Sequence, residues 1–182
     1  CFDLKAVESI RTDPRHHEIS AFEYASPANE HAWVNSLDAV ILGATEIDTS
    51  FNVNVHTNSS GTIMGGSGGH SDTAAGAKLA MVIAPLFRAR QPIITERVGC
   101  VSTPGRDIDV FVTQYGIAVN PKNEELRDRL IRAHLPIVSI EELKAKAESL
   151  CGVPKALEHG DKVAAKVIGR GGEVQDLIYC KK

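Results

Sequence analysis

From Gly65 the chain reads Gly65-Gly66-Ser67-Gly68-Gly69-His70-Ser71-Asp72, and four of its fifteen glycines fall within five residues there. Glycine gives up more backbone freedom on folding than any other residue. A cluster therefore belongs where the backbone must turn tightly or approach a ligand closely. Asp72 stands before Thr73-Ala74-Ala75-Gly76-Ala77, a pattern that predicts a short helix with Asp72 as its N-cap. A glycine loop entering a helix presents free N–H groups, which suit an anion or a developing oxyanion.

Upstream, Asp38-Ala39-Val40-Ile41-Leu42-Gly43 is a continuous apolar run, the signature of a central strand buried on both faces. Glu46 follows it. A carboxylate just past such a strand is placed either to attack or position an acyl group, or simply to face solvent. In the first case Gly68 and Gly69 are the candidate oxyanion donors. Phe51, Val53 and Val55 alternate with Asn52, Asn54 and His56, the period of a half-exposed strand. Asn52 and Asn54 share one face, which either binds a polar substrate or is solvated. Ser67 and His70 lie within the loop and are further candidate substrate contacts, His70 as an anion ligand, a proton-transfer group or a solvated turn residue. Asp48 needs only a turn or capping role. Arg88, Arg90, Arg97 and Arg106 are each suited to carboxylate recognition, and the sequence does not choose among them.

Several chemistries are disfavoured. Ser71 has no G-x-S-x-G context. The glycine loop lacks the Lys-Ser/Thr ending of a phosphate-binding P-loop, and Gly66-Ser67-Gly68-Gly69-His70-Ser71 does not complete G-x-G-x-x-G. The net charge of −3, without a long basic run, argues against nucleic acid. No apolar stretch is long enough to span a membrane as a helix. Cys1, Cys100, Cys151 and Cys180 are scattered without a C-x-x-C pair, so a metal or disulfide framework is not expected, and a reducing cytoplasm fits. His16, His17 and His31 read as solvated, and Trp33 as a packing anchor.

Elsewhere, short apolar runs are predicted as strands at 79–84, 92–95, 109–113, 116–119 and 136–138. Helices are predicted at 1–10, at 121–133 with Leu126, Leu130 and Ile131 on one face, and from Ser139 with Glu142 completing a capping box. Residues 162–179 form a closing hairpin. Interleaved short strands and helices predict an α/β fold with an open, mainly parallel sheet flanked by helices, and a ligand beyond the carboxyl ends of the strands.

Three stretches together resemble the alpha-subunit family of bacterial citrate lyase, within the coenzyme A transferase superfamily. They are Ala44-Thr45-Glu46-Ile47-Asp48-Thr49-Ser50-Phe51-Asn52-Val53-Asn54-Val55, the glycine loop through Ala74, and Thr103-Pro104-Gly105 with Asp109-Val110, Val112-Thr113 and Gly116 to Pro121. The resemblance runs over essentially all 182 residues. It implies a coenzyme A transferase-like domain over 1–182, corresponding to the C-terminal part of a longer family chain; the missing initiator Met suits a fragment or processed chain. It also implies transfer of an acyl group from an acetyl-carrier protein, or acetyl-coenzyme A, to citrate with release of acetate. By motif position, Glu46 is then the transferase glutamate and Gly68 and Gly69 the oxyanion loop. The implied partners are the beta subunit and the acyl-carrier (gamma) subunit, with the carrier or coenzyme A thioester as substrate and no cofactor or metal held by this chain. Another short-chain acyl-coenzyme A transferase, a citramalate lyase alpha subunit and a non-catalytic anion-binding module remain the alternatives.

Overall fold

The computed structural model describes residues 3–155 and 157–181. In chain order the elements are α1 (Leu4–Thr12), α2 (Ala21–Ala25), β1 (Val40–Leu42), β2 (Glu46–Asp48), β3 (Val53–Asn54), α3 (His70–Gly76), β4 (Ala80–Ile83), β5 (Phe87–Arg88), β6 (Gln91–Pro92), β7 (Ile94–Thr95), β8 (Val110–Thr113), β9 (Gly116–Val119), α4 (Glu124–Arg132), α5 (Ile140–Cys151), β10 (His159–Ile168) and β11 (Val174–Lys181). Two sheets carry the domain. The larger has the order β1-β4-β8-β9, with β1, β4 and β8 parallel and β9 turned back on β8 as a hairpin. The smaller is β3-β2-β7, with β2 parallel to β7 and antiparallel to β3. The α/β class is as expected. The description "mainly parallel" fits the larger sheet, whereas the remaining ladders are mixed or antiparallel.

The predicted central strand at 38–43 is a correction. β1 is an edge strand, and Ile41 is 63% exposed. In that sheet the strands paired on both sides are β4 and β8, and their Ala80, Val82 and Phe111 are fully buried. An apolar run records hydrophobicity but not position within a sheet. Residues 136–138 give only an isolated bridge between Ile137 and Ile117 rather than a strand.

One core joins both sheets. Ile47, Phe51 and Val53 from the small sheet and its turn pack with Ala80, Val82, Phe111 and Ala118 of the large one, and Leu86, Ile93, Ile94 and Ile108 fill between. Each such aliphatic or aromatic side chain contributes about 1.5–3 kcal/mol on full burial. Helix α5 closes the core with Ile140, Leu143 and Ala147, spaced on one face. Its start is the expected capping box: Ser139 Oγ accepts from Glu142 N at 3.1 Å, and Glu142 Oε2 accepts from Ser139 N at 2.7 Å. Gly152, at φ 86°, ends it. Helix α4 buries no residue fully, and Leu126 and Leu130 are only half-covered. The helix predicted at 1–10 is observed over Leu4–Thr12; the first two predicted residues lie outside the described ones. Trp33 is a second correction: it is 63% exposed, and the small N-terminal cluster is anchored instead by Ala25, Ala32 and Val34. His16, His17 and His31 are exposed, as expected.

Candidate active site

The glycine loop lies beyond the carboxyl end of β1. His70 fixes it there: Nε2 lies 2.9 Å from the Gly43 carbonyl and Nδ1 lies 2.7 Å from Thr103 Oγ1. A carbonyl only accepts, so Nε2 carries the proton and, in the neutral ring, Nδ1 accepts from the threonine hydroxyl. Burial lowers the His70 pKa below the ordinary histidine value, outweighing the Gly43 hydrogen bond. Both ring nitrogens are thus used within the chain. The structure makes His70 a tie between strand end, loop and the 102–105 segment, not a free substrate ligand.

Asp72 is not the N-cap. Gly69 occupies that position, α3 starts at His70, and Asp72 falls in its first turn. Its carboxylate instead accepts from Arg170 Nε at 2.9 Å. The loop is anchored at its two ends: Met64 N donates to His56 O at 2.7 Å, and Gly69 O accepts from Thr73 N at 2.8 Å. Between them the N–H groups of Gly65, Gly66, Ser67, Gly68 and Gly69 have no hydrogen-bond acceptor among the described residues. Gly68 stands at φ 56°, and a Cβ on Gly65, Gly66 or Gly68 would meet nothing within 4 Å. The glycines are therefore not there to relieve internal crowding. They leave an open, donor-rich stretch of backbone, suited to an anionic oxygen.

Glu46 lies in β2, not past a strand end, and is 5% exposed. Its Oε2 accepts from Asn54 Nδ2 at 2.9 Å and from Gly99 N at 3.2 Å. Asn54 is fully buried: Nδ2 also donates to Thr57 Oγ1, while Oδ1 accepts from the N–H groups of His56 and Thr57. The expected half-exposed strand face is absent here because β3 is two residues long and its polar side chain turns inward onto Glu46. Asn52 is likewise engaged, Nδ2 donating to Asp48 and Oδ1 accepting from Gly105 N at 2.9 Å. Asp48 is the turn residue it was expected to be. Its Oδ1 accepts from Ser50 N and Asn52 N, holding a tight turn in which buried Phe51 takes φ 63°. Both asparagines are thus engaged within the chain, Asn54 fully buried and Asn52 partly exposed.

A cavity of about 580 Å³ opens beside Glu46, between β7, the 96–99 segment, α5 and the β10–β11 hairpin. Arg97 lines it; Arg88 lines a smaller cavity of about 330 Å³, and Arg106 is a surface residue near Asp107. The structure thus brings Glu46 and Asn54 together, and Ser67, Gly68, Gly69 and His70 together, but no residue of the glycine loop lines the Glu46 cavity. Three residues next to the loop had no local sequence signal. Tyr24 Oη lies 3.0 Å from Thr73 Oγ1, Arg170 reaches Asp72 from the hairpin tip, and Ser102 Oγ bonds His56 Nδ1. Among the described residues no three His, Cys, Asp or Glu side chains converge on a metal position. No described helix is long and apolar enough to cross a membrane.

These features define an α/β domain with a backbone N–H array, without acceptors among the described residues, at the carboxyl end of its sheet. Residues 1–180 match the family model of the citrate lyase alpha subunit (CitF), and the chain belongs to that family. It is 49% identical to the citrate lyase alpha chain of Klebsiella pneumoniae, covering 97% of this chain and 35% of that one. It is 46% identical to the chain of the same name from Escherichia coli (strain K12), covering 98% and 35%. A crystal structure of the citrate lyase alpha subunit from Streptococcus mutans, in complex with citrate, superposes with a TM-score of 0.94 at 43% identity, covering all of this chain and 36% of that one. The chain spans about a third of the length of the curated relatives it matches.

Proposed function

We propose that this domain works within a citrate lyase alpha subunit as a citrate:acyl-thioester transferase, passing an acyl group from an acetyl thioester to citrate and releasing acetate. The observation that carries this reading is the likeness, over the whole chain, to an alpha subunit crystallised with citrate. In the exchange, a citrate carboxylate oxygen attacks the acetyl carbonyl carbon and the C–S bond breaks. The released thiolate then attacks the citryl carbonyl of the mixed anhydride, and acetate leaves. Each addition puts negative charge on a carbonyl oxygen. We assign the Gly68 and Gly69 N–H groups, with Ser67 beside them, to that oxygen; their lack of internal partners supports the role. We assign Glu46 a positioning role rather than that of nucleophile, because one carboxylate oxygen is held by two donors in a buried strand. The thioester arrives on coenzyme A or on the acyl-carrier (gamma) subunit, and the citryl thioester passes to the beta subunit for cleavage, in the cytoplasm. This chain contributes no metal or tightly held cofactor.

The test is acetate release from acetyl-coenzyme A, and from acetylated carrier protein, by the full-length protein with citrate, citramalate or no acceptor. Citrate-dependent release is expected. Release with citramalate but not citrate, or none from either donor, overturns the reading.

A further inference from the structure

The β10–β11 hairpin is a two-stranded sheet of its own and shares no buried residue with the main core. Such a ribbon is marginally stable alone, so its place is set by what it packs on. Here that is the segment just before Thr103. Val167 and Ile178 pack on buried Cys100 in a separate apolar cluster. Beside it, Asp176 Oδ2 accepts from Val101 N at 2.7 Å. Gln175 Nε2 donates to the Val101 carbonyl at 2.8 Å and to the Ser102 carbonyl at 3.0 Å. Two neighbouring side chains of β11 thus take both main-chain groups of Val101 and one of Ser102.

The gripped segment runs directly to the glycine loop. Thr103 N and O both pair with the Val53 main chain, and its fully buried side chain sets Oγ1 2.7 Å from His70 Nδ1. Among the described residues, the side-chain hydrogen bonds of residues 65–72 are those of His70 to Gly43 and Thr103 and that of Asp72 to Arg170. Two of these ties lead to the same hairpin. Asp72 reaches it directly, through Arg170 at the tip; His70 reaches it through Thr103 and the segment that β11 holds. The loop N–H groups have no acceptor of their own among the described residues, and glycine backbone is the least restrained of any. Their direction is therefore set by the anchors at the loop's end.

We infer that the β10–β11 hairpin is the positioning element of the glycine loop, acting through Thr103 and His70 on one side and through Arg170 and Asp72 on the other. The inference rests on the transferase reading above. Thr103, Gln175 and Arg170 are positioning residues for acyl exchange: each acts on the loop through another group. Donors stabilise a developing oxyanion only while they are aimed at it, and a displacement of about 1 Å costs about a hundredfold in rate. Loosening either tie lowers turnover and leaves ground-state binding of citrate and thioester in place.

The experiment is steady-state exchange from acetyl-coenzyme A to citrate by the full-length protein and its variants Thr103→Val, Thr103→Ser, Gln175→Ala and Arg170→Ala, with hydrogen–deuterium exchange of helix α3 in each. Gln175 and Arg170 are partly exposed, so their truncation leaves the core intact. Thr103→Val, Gln175→Ala and Arg170→Ala are each expected to lower kcat about tenfold or more, with KM for both substrates within about twofold. Thr103→Ser, which keeps the hydroxyl, restores most of the turnover. The α3 amides, next to both anchors, exchange faster in the impaired variants. Full kcat in Gln175→Ala and Arg170→Ala overturns the inference. So does a rise in KM at unchanged kcat, because the residues then serve binding, and so does a Thr103→Ser variant as impaired as Thr103→Val. Absence of citrate-dependent exchange in the unaltered protein overturns the transferase reading instead. The hairpin's hold on the loop is then judged by α3 alone: faster amide exchange in the variants upholds it, and equal rates overturn it as well.

Discussion

Asp72 and Arg170 meet at 2.9 Å, although 98 residues separate them in the chain. The contact ties the first turn of α3, directly behind the glycine loop, to the tip of the β10–β11 hairpin, and Arg170 Nη2 adds a bond to the Ala25 carbonyl at 3.3 Å. One guanidinium thus links the hairpin, the N-terminal segment and the loop. Arg170→Ala is expected to cost about 1 kcal/mol, since both partners are partly solvated. Arg170→Lys retains the charge but not the fork that reaches two acceptors, and should recover only part of the loss. Urea denaturation at low and high salt measures both effects.

Glu46 gives a prediction in which structure and chemistry separate. Glu46→Ala strands the Asn54 amide and the Gly99 N–H in a buried place, and is expected to destabilise by about 2 kcal/mol. Glu46→Gln keeps an acceptor oxygen and should cost less. Equilibrium unfolding paired with the acyl-exchange assay distinguishes the two roles. Stability retained with exchange lost in the glutamine variant shows that the charge itself is needed, whereas parallel small losses show a scaffold.

Two glycines of the site region should respond in opposite ways. A Cβ on Gly105 would lie 1.9 Å from the Ser50 carbonyl oxygen, in a backbone crossing already fixed by Asn52 and Asn120. Gly105→Ala is expected to lose about 3 kcal/mol or more, because backbone must move. Gly68→Ala faces open space, and only its left-handed conformation is penalised, at about 1 kcal/mol. Thermal denaturation ranks them, and a marked fall in exchange for Gly68→Ala at near-normal stability would place the loop in catalysis.

The buried imidazole of His70 sets a pH dependence. Burial lowers its folded-state pKa below the 6.5 of the unfolded chain. In the window between those values the unfolded state binds more protons, so stability rises with pH there. The contribution is full above the unfolded value and is lost as pH falls through the folded one. Half-buried His56, lowered by the same cause, adds in the same direction. Unfolding free energy measured from about pH 5 to pH 8 should show this slope, and His70→Gln should flatten it.

Cys100 is expected to be inert in the folded protein. Burial, reinforced by the charges of Asp176 and Glu46, pushes its thiol up to about 12, so little thiolate forms at neutral pH. Cys151 and Cys180 are partly exposed. Alkylation followed by peptide mass spectrometry should label these two first and Cys100 only on unfolding.

The α5 capping box, the closing hairpin, the turn at Asp48 and the glycine loop were all legible in the sequence, because each depends on residues a few positions apart whose local geometry their own chemistry dictates. The long motifs shared with the citrate lyase alpha-subunit family were legible for the same reason. What the sequence could not fix was anything settled by packing between distant segments. The run at 38–43 carries the hydrophobicity of a central strand, yet β1 became an edge because β4 and β8 took the interior. Trp33 was left outside its cluster. Asn54 turned inward because Glu46, across the β2–β3 pair, and Thr57 offered partners that water would otherwise have supplied. Asp72 gave up capping for an arginine from the far end of the chain. Local chemistry chose the turns and caps; tertiary structure decided which polar groups would satisfy one another inside, and so which would remain open to a ligand.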